Sequence, residues 1–160
     1  MGYNFGARKK QRLNSATKYG CVIALVLMGA GMLVFWLMPD VLLSIFNASA
    51  DMLKIGVPGL RIISLCFLPA ALGIVGSTFF QAVGKGVNSL LVSLLRQLIV
   101  LLPAAFLLAK LGVVEWVWYA FPIAETFSLL ATIVLYLRVY KRQIQNLEQE
   151  PSRISGPEIV

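Results

Sequence analysis

The stretch GCVIALVLMGAGMLVFWLM occupies residues 20–38 and contains no charged residue. A helix rises about 1.5 Å per residue, so about 20 residues cross a hydrocarbon layer about 30 Å thick. Three more runs have the same character: residues 62–80 are uncharged, residues 89–109 carry only Arg96, and residues 117–137 carry only Glu125. Within a bilayer the backbone must satisfy its own hydrogen bonds, as helices and closed barrels do. Barrel strands alternate polar and apolar over about ten residues each, and these runs are longer and evenly apolar. The expected fold is an all-α integral membrane protein with four transmembrane helices.

Composition agrees. Of 160 residues, 59% are apolar and 13% are charged, about half the charged share of an ordinary soluble domain. The net charge is +7, but the charges stand between apolar runs rather than along a polar face, which argues against nucleic acid as a partner. The first run is long for a signal-peptide core. Trp36, Leu37, Met38 and Pro39 stand where small residues of a cleavage site would lie. The chain has no histidine, so no Ser–His or Cys–His pair is available. Cys21 and Cys66 fall in separate spans, toward opposite membrane faces, and two cysteines without histidine make no metal site. There is no phosphate-binding Walker loop. Enzymatic chemistry, cofactors and metals are therefore not expected.

Direction follows from the loops. Arg8, Lys9, Lys10, Arg12 and Lys18 precede the first run without an acidic residue. Asp40, Asp51, Lys54 and Arg61 share the next connection, Lys85 lies in the third, and Lys110 and Glu115 in the fourth. Arg138, Lys141 and Arg142 follow the last run. Lys and Arg collect on the cytoplasmic side, and the order rich, poor, rich, poor, rich puts both termini there. Trp36, Trp116, Trp118 and Tyr119 then flank the outer ends, and Tyr19, Tyr136 and Tyr140 the inner ends, as headgroup-level aromatics do.

The chain so divides into a basic cytoplasmic segment (1–18), a transmembrane region (19–142) and a mobile cytoplasmic tail (143–160) containing Pro151, Gly156 and Pro157. In the first outer connection, residues 41–46 are apolar and suit the interface. Ser49 reads as a helix N-cap with Asp51 in the first turn. That fits Asn47-Ala48-Ser49 better than a glycosylation acceptor does.

Inside the apolar runs, Glu125 stands out. A carboxylate near the middle of a span costs at least about 2.5 kcal/mol on insertion scales for the comparable Asp, so it should face protein or water. Such a group can exchange a proton, or hold a sodium ion or an organic cation; alternatively it fixes packing through an ion pair. Arg96 is the expected partner. It lies about 10 Å inside the cytoplasmic end of its helix, against about 17 Å for Glu125, a gap an arginine side chain spans. Gln97 adjoins it and adds donors and an acceptor. Such a pair keeps the carboxylate ionised, which weighs against a simple proton carrier. Pro69, Pro103 and Pro122 are expected to kink their helices, and Gly73, Gly76 and Ser77 form a patch for close helix approach.

Several segments, in order, resemble the C-terminal part of the multidrug and toxin extrusion (MATE) transporters. The start, Gly2-Tyr3-Asn4-Phe5-Gly6-Ala7 with the basic stretch after it, is similar to a segment that closes the family's eighth helix. Ile55-Gly56-Val57-Pro58 and Leu60-Arg61-Ile62 follow, then Phe79-Phe80-Gln81-Ala82-Val83-Gly84-Lys85-Gly86, Ser93-Leu94-Leu95-Arg96-Gln97, Val117-Trp118 and Phe121-Pro122-Ile123-Ala124-Glu125. The resemblance spans roughly residues 2–142 and implies that the four runs correspond to helices nine to twelve of a twelve-helix fold made of two lobes. It implies export of cationic or amphipathic compounds against a proton or sodium gradient. Arg96, Gln97 and Glu125 match family positions. The acidic cation-binding residue that some branches carry in helix ten is absent from residues 62–80, where Pro69-Ala70-Ala71 stand instead.

The leading expectation is thus part of a MATE-type exporter in the cell (plasma or inner) membrane, as a truncated product or split piece. Its partners would be the lipid bilayer, small organic cations or amphipathic drugs, and the missing N-terminal helices. Alternating access needs two units that move about a central site, so the chain alone is expected to be inactive and poorly stable. A self-contained small dimeric exporter is one alternative, although the first run lacks the carboxylate such proteins use there. A non-transporting membrane scaffold is the other.

Overall fold

The computed structural model describes residues 1–147, and those residues form helices joined by short turns, with no strand among them. A short α1 (Gly2–Gly6) turns at Arg8, whose φ is 55°, into α2 (Lys10–Leu37). Then come α3 (Pro39–Ser44), α4 (Ala50–Ser64), α5 (Phe67–Ala82), α6 (Gly86–Ala109) and α7 (Val114–Ile144). Among these residues three helices, α2, α6 and α7, are long and apolar enough to cross a membrane, and a fourth span results when the bent pair α4–α5 is taken as one. The apolar window of α2 contains no buried residue; Val22, Ile23, Val26 and Leu27 lie on its surface. A continuous apolar face of that kind needs a hydrocarbon or protein environment.

The boundaries differ from the expected spans in informative ways. The basic segment does not stay apart from the first span: residues 10–18 are the first turns of α2, whose 28 residues extend about 42 Å, beyond the hydrocarbon thickness. The second span is not a straight helix over 62–80. Asp51, expected in the first turn, and Lys54 and Arg61, counted with the connection, lie on the exposed side of α4, which turns Gly59 and Ser64 inward. Ser49 caps it as expected: its Oγ accepts the Met52 N–H at 3.3 Å. The pair α4–α5 bends by 47° at residues 65–66.

The prolines account for the breaks. A proline lacks an N–H and clashes with the carbonyl four residues earlier. For Pro69 that carbonyl belongs to Leu65, at the bend. Pro103 opposes Ile99, within a π-helical segment of α6 at Leu95–Leu101. Pro122 opposes Trp118, where the chain turns before the regular part of α7, Ala120–Val139. Pro122 therefore sits in the first turn of that part rather than in its interior.

Both described ends meet at one end of the bundle. Lys10 Nζ donates to the Gln145 carbonyl at 2.6 Å, and Asn14 Nδ2 to Tyr140 Oη at 3.0 Å. Leu13, Phe79, Phe80, Val83, Val139, Ile144 and Leu147 form a buried cluster there. The tail expected from residue 143 is thus packed as far as Leu147, because Ile144 and Leu147 supply apolar surface to this cluster; residues 148–160 lie outside the described residues. At the opposite end Trp36 Nε1 donates to the Arg61 carbonyl at 3.2 Å, and the Trp118 ring lies against Gly59, where a Cβ would come within 3.0 Å. These tryptophans join helices to one another as well as marking an end.

Candidate polar site between α5, α6 and α7

The small-residue face of α5 sets the site. At Gly76 a Cβ would collide with Thr132 Cγ2 of α7, so only glycine allows the two helices to approach this closely. One turn away, a Cβ on Gly73 would stand 3.5 Å from Glu125 Oε1. Glu125 is thereby held against the α5 backbone, 8% exposed.

Arg96 meets it from α6. Its Nη1 donates to Glu125 Oε2 at 3.1 Å and to Oε1 at 3.4 Å. The carboxylate side chain is 10% exposed and the guanidinium side chain 39%, so one partner is enclosed and the other open. Arg96 belongs to the π-helical segment, an irregularity that recurs at functional sites. Leaving Glu125 unpaired at this depth would carry the desolvation cost of an uncompensated buried charge.

The pair borders a cavity of about 290 Å³ between the three helices, which Ser77, Gln81, Ser89 and Ser128 also line. Gln81 Nε2 donates to Ser89 Oγ at 3.4 Å. Ser128 is buried, and its carbonyl accepts the Thr132 hydroxyl at 2.8 Å. The far wall is open: Ile74, Thr78, Gln81 and Ser93 are exposed. The site is a polar recess with hydroxyls, an amide and an ion pair, walled by protein on one side. It offers oxygen ligands and one carboxylate to a cation.

Two of the three residues singled out from the sequence, Arg96 and Glu125, are brought together. Gln97 is not: one residue further round the helix, it is exposed and does not line the cavity. Of the flanking polar residues, Ser77 was read as part of a packing patch and the others were not assigned to a site, although their spacing carries a signal. Ser77 and Gln81 are four apart; Ser89, Ser93 and Arg96 follow i, i+4, i+7; Glu125, Ser128 and Thr132 follow i, i+3, i+7. Each set lies on one helical face.

The model of the MatE family matches residues 1–107, about two thirds of the chain and reaching through most of α6. A solved chain called protein A is 31% identical, with a TM-score of 0.78 over 86% of this chain and 31% of that one. A multidrug resistance MATE family transporter of the MOP superfamily, solved in an inward-facing conformation, is 22% identical, with a TM-score of 0.78 over 94% of this chain and 34% of that one. The chain spans about a third of the length of these solved chains. No curated protein matches it. With the family's pattern running through the helices that carry Arg96, and the same helical fold found in a transporter of that family, this multi-pass membrane chain belongs to the MATE family.

Proposed function

We propose that the chain is the last third, helices nine to twelve, of a MATE-type exporter that moves cationic or amphipathic compounds out of the cell by proton or sodium antiport. Both termini face the cytoplasm in this reading, and the chain is inactive without the remaining helices. The observation that carries the proposal is the Arg96–Glu125 pair, set in a polar recess with one open wall. A buried ion pair contributes little net stability compared with well-packed apolar residues, so its presence within a span favours a role beyond packing. Arg96 acts as a tethered cation. An incoming sodium ion or organic cation competes with it for the carboxylate, and the serine and glutamine oxygens complete the coordination. The open wall is where helices from the rest of the transporter close the site.

Co-expression supplies the test. The chain is produced with a separate segment carrying the first eight helices of a MATE transporter, and efflux of a fluorescent organic cation is followed with and without a proton or sodium gradient. Gradient-dependent efflux is expected only when both pieces are present. Export by the 160-residue chain alone contradicts the reading and favours a self-contained exporter. Absence of export from the pair, although both pieces co-purify, favours a scaffold.

A further inference from the structure

A second polar feature lies at the end where residues near Lys10 and Gln145 meet, on the outer side of α6 and α7. Lys85, from the turn between α5 and α6, converges with Arg138 and Arg142 of α7 on a cleft of about 300 Å³, which Asn88 and Gln143 also line. Among the described residues no acidic residue lines this cleft, and none of the three cations is paired with a carboxylate. Gln143 holds its Oε1 buried with no donor among the described residues. Three cations brought together without counterions repel one another, and an anion placed among them relieves that repulsion.

The cleft continues into a groove of a different kind. Leu135 lines both. From there an apolar groove of about 460 Å³ runs between α6 and α7, walled by Leu91, Leu95, Phe127, Leu130 and Val134. From Phe127 to Arg142 the helix advances about 22 Å, half the thickness of a bilayer with its headgroups. A basic pocket at headgroup level above an apolar groove, the two together about one leaflet deep, has the shape and polarity of a single phospholipid.

We infer that Lys85, Arg138 and Arg142, with the α6–α7 groove below them, form a binding site for one anionic phospholipid of the phosphatidylglycerol type. Its phosphate lies among the three cations, and an acyl chain fills the groove. Basic pockets at the ends of transmembrane helices bind anionic headgroups in this way. The inference is independent of the transport reading, since it concerns the opposite face of α6 and α7 and holds for either orientation in the membrane.

Native mass spectrometry of the full chain tests it. The purified chain is delipidated and offered equal amounts of phosphatidylglycerol and phosphatidylcholine with identical acyl chains. Preferential retention of one phosphatidylglycerol is expected. The triple variant Lys85→Gln, Arg138→Gln, Arg142→Gln should lose roughly tenfold or more of that retention. The control Lys9→Gln, Lys54→Gln, Lys110→Gln, with the same change in charge, should keep it. Ala131 also lines the groove, and Ala131→Trp, which fills it, should weaken retention without touching the cations. Equal retention of both lipids by the unmodified chain overturns the site, and that measurement stands even if a variant does not fold. Displacement of the lipid by soluble glycerol phosphate at comparable concentration also overturns it, by reducing the site to an anion pocket.

Discussion

The end of the bundle where the two ends of the described residues meet and the recess around Glu125 share α5 and α7 but follow opposite designs. At the end, Leu13, Phe79, Phe80 and Ile144 are completely buried, and elements far apart in sequence close on one another. In the recess, the carboxylate is enclosed but its arginine is 39% exposed, and one wall is open. The apolar cluster is complete within the described residues. The polar recess ends on exposed serine, threonine and glutamine, as expected of a surface that other helices cover.

The contrast can be broken at its strong end first. Phe80→Ala should cost about 3–5 kcal/mol in reversible unfolding in detergent, because a fully buried ring leaves a cavity that packed neighbours cannot fill. A cost under about 1 kcal/mol would mean that the cluster is loosely packed. Glu125→Ala should cost about 2–3 kcal/mol, below the usual range for a broken buried pair because Arg96 is partly open to its surroundings. Replacing both members, as Arg96→Met with Glu125→Met, should recover most of that stability, and thermal melts of the three proteins decide it. If the double variant is less stable than Glu125→Ala, the pair is a packing device rather than a site.

Smaller changes sharpen the comparison at the wall the two regions share. Gly76→Ala should separate α5 from α7 through Thr132 and cost about 1–3 kcal/mol. Adding Thr132→Ser, which removes the colliding methyl, should return part of it. Ser49→Ala removes a helix cap far from both regions and should cost about 1 kcal/mol. Gln97→Leu should stay within about 0.5 kcal/mol of the unmodified protein, because Gln97 points away from the recess; a large effect on stability or on cation binding would return it to the site.

The membrane class and the Arg96–Glu125 pair were legible in the sequence for one reason: hydrocarbon thickness and the cost of buried charge are set by the solvent, not by the fold. The break near Leu65 was legible in kind, since Pro69 announced a kink, but not in consequence. The start of the helix before it was legible at Ser49 and Asp51, but Lys54 and Arg61, counted with the connection, hid its length, whereas they occupy only the exposed side of α4. Gln97 falls outside the recess because successive residues of a helix point in different directions, so adjacency in sequence does not place it beside Arg96. Ser89, Ser93, Ser128 and Gln81 were not assigned to the site for the converse reason, since residues four and seven apart share a face although they look scattered in the chain, and Ser77 was read only as a packing residue. The burial of Ile144 and Leu147 depends on contacts with Leu13 and Phe80, which no local pattern announces.

The central claim, that the recess uses the position of its carboxylate and not merely the presence of a pair, is tested most directly by exchanging the charges. Arg96→Glu with Glu125→Arg keeps both ions in the recess. Co-expressed with a segment carrying the first eight helices of a MATE transporter, the exchanged chain is predicted to reach membrane levels equal to the unmodified protein, with gradient-driven export of an organic cation reduced to background. Full export by the exchanged protein would contradict it.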